Sequence, residues 1–139
     1  MSVANNIVLG RSVAQTGTPC MARMQNVNTG QYLTQASVMV VNYVITDLNT
    51  GLQVTTRALA PNAIIFDTLQ TNDPSWVQDS LGYNIKYTIP ASDLSWTPQV
   101  DNLYNPIPHR FQAELEFIFV SGQPQVLTFL FWASPAYSS

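Results

Sequence analysis

With 139 residues and one cysteine, the chain is long enough to bury the core of one domain and cannot carry an internal disulfide framework. Charged residues make up only 9% of it, with a net charge of -3. The positives are scattered at Arg11, Arg23, Arg57, Lys86 and Arg110, so no basic patch for nucleic acid can be assembled.

Residues 1–10 are read as a flexible or docking N-terminal arm. They lack a basic segment followed by a long apolar run, so no signal peptide is expected there. A first strand is expected to start near Ser12 to Gln15. Over Thr18 to Asn26 a loose alternation points Cys20, Ala22 and Met24 inward. Asn28-Thr29-Gly30 is a turn signal. Val38 to Thr46 is a strong strand, with Val38, Val40 and Val44 on one face and Met39, Val41, Tyr43 and Ile45 on the other. Asp47 to Gly51 is a hairpin connection, and Leu52 to Arg57 is its partner strand.

Ala63 to Phe66 reads as a short buried strand. Two turn clusters follow, at Thr71 to Ser75 and Asp79 to Gly82, with Trp76 between them. Tyr83 to Ile89 alternates cleanly, with Tyr83, Ile85, Tyr87 and Ile89 on one face, and Pro90 stops it. Residues 91–110 form a long loop holding Pro98, Pro106 and Pro108. A loop of that length is usually functional or covered by a partner.

Phe111 to Trp132 is the most apolar part, two strands joined by Ser121-Gly122-Gln123-Pro124. In the first strand Phe111, Ala113, Leu115, Phe117 and Phe119 share one parity, and Gln112, Glu114 and Glu116 fill the other. In the second both parities are nearly apolar, which requires cover on both sides from a second sheet or another subunit. The apolar run Phe117 to Trp132 is interrupted by Ser-Gly-Gln-Pro and preceded by two glutamates, so it is a hairpin and not a membrane span. Residues 134–139 read as a C-terminal tail. No helical periodicity survives beyond a turn. The expected architecture is one domain, 1–139, an all-β sandwich of about seven to nine short strands.

Chemistry is nearly absent from the pattern. The lone histidine, His109, stands between Pro108 and Arg110 and reads as a surface or interface residue, because a triad needs both an orienting acid and a nucleophile. Glu114 and Glu116 lie roughly 7 Å apart on one strand face, and read as solubilising charges beside a greasy hairpin. Asp67, Asn72, Asp73 and Asp79 supply hard oxygens of the kind calcium takes, but at no EF-hand spacing. Turn chemistry is the simpler account, and no metal or other cofactor is assigned. Trp76 and Trp132 are assigned to the core. Trp96, Tyr104, Ile107, Leu130, Trp132 and Tyr137 are the candidate partner-binding residues, since aromatic anchors concentrate binding energy in interfaces.

Several strings together resemble a known family. Gly30-Gln31-Tyr32-Leu33-Thr34-Gln35-Ala36-Ser37-Val38, followed by a strand and Asp47-Leu48, is similar to the opening of immunoglobulin-like domains in tailed-bacteriophage structural proteins, among them the N-terminal domain of the baseplate upper protein. Phe66 to Thr71, Trp76, Asp79 and Gly82-Tyr83-Asn84 resemble a pattern in small phage proteins, and Phe111 to Phe117 with Ser121-Gly122 fits the closing hairpin. The resemblance spans roughly residues 18 to 133, with Trp96 to Pro108 longer than the family pattern. It implies a virion component without catalytic residues.

Low charge points independently to a protein held inside an assembly, since interface cores are depleted of charge and a free monomer normally displays mixed charges. Roughly a third of the chain is Asn, Gln, Ser or Thr instead. The expected function is a non-enzymatic virion structural protein, a capsid decoration (cement) protein or a neck, tail or baseplate component. Its partners would be other copies of itself and other virion proteins, in a homo-oligomer, with neither nucleic acid nor membrane. The alternative is a carbohydrate- or host-surface-binding module that uses exposed Tyr and Trp.

Overall fold

The computed structural model describes residues 4–13, 18–94, 102–103 and 109–134. Among them, eight strands form two sheets. Helix is limited to short 3₁₀ turns at Gln35–Ser37, Pro61–Ala63 and Ala91–Leu94. Strands β1 (Ala4–Val13), β3 (Val38–Asp47), β4 (Leu52–Leu59), β7 (His109–Phe119) and β8 (Gln125–Ser134) make one sheet in the order β1-β8-β7-β3-β4. Strands β2 (Thr18–Ala22), β5 (Ile65–Gln70) and β6 (Tyr83–Ile89) make the other, in the order β2-β6-β5. The partition of β2, β5 and β6 against β3, β7 and β8, with β4 added beside β3, is that of an immunoglobulin-like sandwich.

Alternation decides which side chains meet between the sheets. Phe111, Ala113, Leu115, Phe117 and Phe119 of β7 are buried, as are Leu127, Phe129 and Phe131 of β8. They join one cluster with Cys20, Ala22, Ile64, Ile65, Ile85 and Ile89 from the opposite side. Met24 and Leu33, from the loop after β2, close one end of that cluster. The outward residues of β8, Val126, Thr128 and Leu130, are half-buried. The doubly apolar strand is therefore sealed on its inner face and only partly covered on its outer one.

Several expectations are corrected. Residues 4–10 are no free arm: Ala4–Val13 forms β1 and lies parallel to β8, from Ala4 opposite Gln125 to Val13 opposite Ser134. Without it, the outer edge of the most apolar strand would be bare, and an open apolar edge recruits any available strand. Among the described residues this is the one parallel pair, and the other strand pairs are antiparallel. β8 also runs to Ser134, one residue into the expected tail.

Val38 does not share a face with Val40 and Val44. A bulge between Val38 and Val40 inverts the parity, so Val38 is buried with Val41, Tyr43 and Ile45 while Met39 is exposed. Pro61–Ala63 is a 3₁₀ turn and β5 begins at Ile65, leaving Phe66 exposed. Trp76 is half-buried and outside the core cluster. Its ring packs on Tyr83 at 5.6 Å between centroids, and its indole N–H donates to the Asp79 carbonyl at 3.1 Å.

Candidate functional site

Two surface features stand out from the fold, a polar cleft at one end and, among the described residues, an edge strand at one side. The cleft opens where β2 ends and β6 and β8 begin. It has a volume of about 580 Å³ and is lined by Arg23, Gln25, Asn26, Val27, Tyr32, Leu81 and Gln125. Its floor exists because amide side chains stand in for missing strand pairs. Buried Gln125 donates Nε2–H to the Gln25 carbonyl at 2.9 Å and accepts the Val27 N–H at 2.9 Å. Asn28 does the same to the β7–β8 turn, accepting the Gln123 N–H at 2.9 Å and donating to its carbonyl at 3.1 Å. Gly122 makes that approach possible: its φ is +104°, and a Cβ there would lie 2.3 Å from the Asn28 side chain.

Arg23 spans the cleft wall, donating to both carboxylate oxygens of Asp79 at 2.8 and 2.7 Å and to the Gly82 carbonyl at 3.1 Å. The guanidinium hydrogen bond is the main reason the Asp79 carboxyl sits below its ordinary range. The pair leaves the cleft without net charge, with Tyr32, Val27 and Leu81 exposed around it. What such a lining can do is stack on an apolar face and hydrogen-bond a neutral polar ligand. Tyr32 is not among the sequence candidates. The signal for it is its place two residues after the Asn28-Thr29-Gly30 turn, where a residue leaves a tight bend facing outward.

The second feature is β4, an edge strand among the described residues. Nearly all its residues are exposed, including Leu52 and Val54, and β3 is its strand neighbour on one side only. The one charge in the strand, Arg57, is folded back over the sandwich. Its Nη2 donates to Asp93 Oδ1 at 2.7 Å, its Nη1 donates to the Tyr87 hydroxyl at 3.0 Å, and its guanidinium lies 5.2 Å from the Tyr43 ring centroid. Buried Asp93 also accepts the Tyr43 hydroxyl at 2.9 Å. Burial, reinforced by that bond, pushes the Tyr43 phenol far above its ordinary range.

His109, expected at the surface or in an interface, is buried within the sandwich. A carboxylate can only accept, so His109 Nε2–H faces Asp47 Oδ2 at 2.7 Å, while Nδ1 faces the Asn49 side-chain amide at 3.3 Å. Asp47 Oδ1 in turn accepts the backbone N–H of Asn49 at 2.9 Å and of Thr50 at 3.3 Å. The imidazole ties β7 to the β3–β4 turn, and both of its nitrogens are engaged. A general base needs one nitrogen facing its substrate.

The carboxylates considered for calcium are dispersed. Asp73 is paired with Lys86, Asp79 with Arg23, and Asp67 accepts the Gln35 backbone N–H at 2.8 Å. Among the described residues no three acidic, histidine or cysteine side chains gather at one point. Glu116 accepts from Asn42 at 3.2 Å and Glu114 from Gln112, both on the outer face of β7. Of the candidate interface residues, Leu130 is half-buried on that same outer face. Trp132 stands in β8 opposite Arg110 and Arg11, its side chain outside the described residues. Trp96, Tyr104, Ile107 and Tyr137 also lie outside the described residues. Among the described residues no helix is long and apolar enough to cross a membrane.

Comparison of the chain with protein-family models, with curated proteins and with solved structures finds no match.

Proposed function

We propose that this chain is a non-enzymatic virion structural protein of a tailed bacteriophage, a capsid decoration protein or a neck, tail or baseplate component. It would act by packing against its own copies and against other virion proteins in a symmetric assembly. The observation that carries this reading is the kind of surface the sandwich presents. Met39, Leu52, Val120, Val77 and Leu103 are exposed on a chain with only 9% charged residues. Such a surface stays dispersed poorly as a monomer and is suited to burial between subunits. The immunoglobulin-like strand order supports the sequence resemblance, although a fold alone never fixes a function. The engagement of both His109 nitrogens supports a role without catalysis.

The test is fractionation. Particles from cells expressing the gene in its native setting are banded on a density gradient and analysed by mass spectrometry. The chain is expected in many copies per particle. Its recovery only from the particle-free fractions overturns the reading.

The cleft favours a second reading, a carbohydrate- or host-surface-binding module. Exposed Tyr32 beside Gln25, Asn26 and the neutralised Arg23–Asp79 pair is a lining that neutral sugars fit. A glycan that raises the melting temperature of the chain, and fails to do so with Tyr32→Ala, supports it.

A further inference from the structure

Asn26 lines the polar cleft and is itself only 5% exposed. All but one of its hydrogen-bonding groups are spent on the turn that follows it. Its N–H donates to the Gln31 carbonyl at 2.6 Å, and its carbonyl accepts the N–H of Thr29 at 3.2 Å and of Gly30 at 2.7 Å. Its side-chain Oδ1 accepts the Asn28 N–H at 2.8 Å and the Asn28 side-chain amide at 3.1 Å. A backbone N–H can only donate, so the orientation of the Asn26 amide is fixed and Nδ2 is the group left over. Among the described residues Nδ2 has no partner, yet it is not sealed under protein. A buried amide with an idle donor beside a cleft is half of a hydrogen bond, and a ligand can bring the other half.

The donor selects its complement. The fixed acceptors near it are taken, Asn26 Oδ1 by Asn28 and Gln125 Oε1 by the Val27 N–H. A hydroxyl entering here would accept from Nδ2 while its own proton went without an acceptor. A carboxylate would bring a charge into a cleft where Asp79 already neutralises Arg23, and its desolvation would go uncompensated. A neutral carbonyl oxygen has neither defect. Val27 and Leu81 line the same cleft and are exposed, which gives a methyl group an apolar contact. Exposed Tyr32 adds a ring face for stacking. Carbonyl, methyl and a stackable ring occur together in a sugar that carries an acetamido group. Its amide is trans, with the N–H pointing away from the C=O, so the carbonyl can enter while the N–H stays at the rim.

We propose that the cleft binds a neutral N-acetylated amino sugar, with Asn26 Nδ2–H donating to the acetamido carbonyl, Val27 and Leu81 against the methyl and Tyr32 against the pyranose ring. This rests on the second reading above, in which the cleft takes a sugar, and names the class of sugar and the residue that selects it. Arg23 spends Nη1 on Asp79 and Gly82, so its Nε and Nη2 remain for sugar hydroxyls.

NMR titration of the isotope-labelled full chain tests the assignment. The probes are triacetylchitotriose and cellotriose, which has hydroxyls where the first has acetamido groups. Triacetylchitotriose should shift the Asn26 side-chain amide and the Val27 and Tyr32 backbone signals. It should bind about tenfold or more tighter than cellotriose, the worth of one hydrogen bond and one covered methyl. Asn26→Asp keeps an acceptor for Asn28 but replaces the Nδ2 donor, and should bring the two sugars to about the same affinity. Leu81→Asn, at an exposed position, should narrow the preference as well, and circular dichroism confirms that both variants are folded. Tyr32→Ala should weaken both sugars and keep their ratio. Equal binding of the two sugars by the unaltered chain overturns the acetamido assignment and leaves the cleft a site for sugars at large. An acetylated dipeptide amide that binds as tightly as triacetylchitotriose overturns the sugar class. Shifts with neither sugar overturn the assignment too, and the melting-temperature test with other glycans then decides the sugar reading separately.

Discussion

Asn84 and Met24 make a strand pair in which one strand is a side chain. β2 pairs with β6 only as far as Ala22 opposite Ile85. Beyond that point Met24 N–H donates to Asn84 Oδ1 at 2.8 Å, and Asn84 Nδ2–H donates to the Met24 carbonyl at 3.0 Å and the Leu33 carbonyl at 3.4 Å. The amide carries the ladder one step further, and Met24 and Leu33 can then sit in the core. All of this is buried, so water cannot substitute.

Asn84→Ala should therefore cost about 2–4 kcal/mol, because two or more buried backbone groups lose their partner at once. Asn84→Asp should be no better, since a second acceptor oxygen would face the Met24 and Leu33 carbonyls. Urea titration followed by fluorescence checks both. A loss below about 0.5 kcal/mol in Asn84→Ala, within the range of an ordinary surface change, would show the pairing to be unimportant.

Two glycines at turns separate backbone conformation from space. At Gly30 (φ +76°) an added Cβ would meet nothing within 4 Å, whereas at Gly82 (φ +100°) it would lie 2.2 Å from the Gln70 carbonyl oxygen. Gly30→Ala should cost only the left-handed conformation, about 1 kcal/mol. Gly82→Ala adds a clash with backbone, which cannot rotate away, and should cost about 3 kcal/mol or more. Equal unfolding midpoints for the two variants would contradict this.

The sandwich is legible in the sequence because its core strands obey a period of two. β6 reads correctly to the residue, and β7 and β8 to within two residues at either end. What escapes is whatever depends on a partner distant in sequence. The parity inversion at Val38 arises from a bulge against β7. The placement of residues 4–10 depends on β8, some 120 positions later. Asn84 reads as an outward polar residue in its own strand, and only the ending of β2 turns it inward. His109 in a proline-rich segment gives no hint of Asp47, sixty-two residues away. The cleft draws on residues 23–32, Leu81 and Gln125, which no local pattern connects.

Acid should unravel the loop end of the small sheet first. Hydrogen bonds from Lys86 hold the Asp73 carboxyl, and from Arg23 the Asp79 carboxyl, below their ordinary range. A carboxyl lowered on folding contributes stability that is complete above the unfolded value of about 3.9. That contribution is lost as pH falls through the folded value. Unfolding midpoints should decline below pH 4, less steeply in Asp73→Asn and Asp79→Asn. Both pairs face solvent in part, so added salt should shrink the difference. An acid limb unchanged in both variants would assign it to other carboxylates.

At the alkaline end the sign reverses, and Tyr43 controls it. Its ring lies edge-on to Tyr87 at 4.9 Å and its hydroxyl is held by Asp93, within the link that joins β3, β4 and β6 to the Ala91–Leu94 turn. Burial first, then the hydrogen bond to Asp93, raises its phenol above the unfolded value of about 10. The folded chain keeps a proton there that the unfolded chain releases, so stability is full below pH 10 and falls as pH climbs above it. Tyr43→Phe removes this source of alkaline loss but leaves Asp93 short of a partner, at a cost of about 1–2 kcal/mol at neutral pH. Asp93→Ala should cost more, about 3 kcal/mol, since it strips both the Tyr43 hydroxyl and Arg57 of their acceptor. Urea midpoints from pH 7 to 11 for the three chains, with tyrosinate absorbance recorded in parallel, check the assignment. The wild-type line should fall more steeply above pH 10 than that of Tyr43→Phe, and parallel lines would remove Tyr43 from the account.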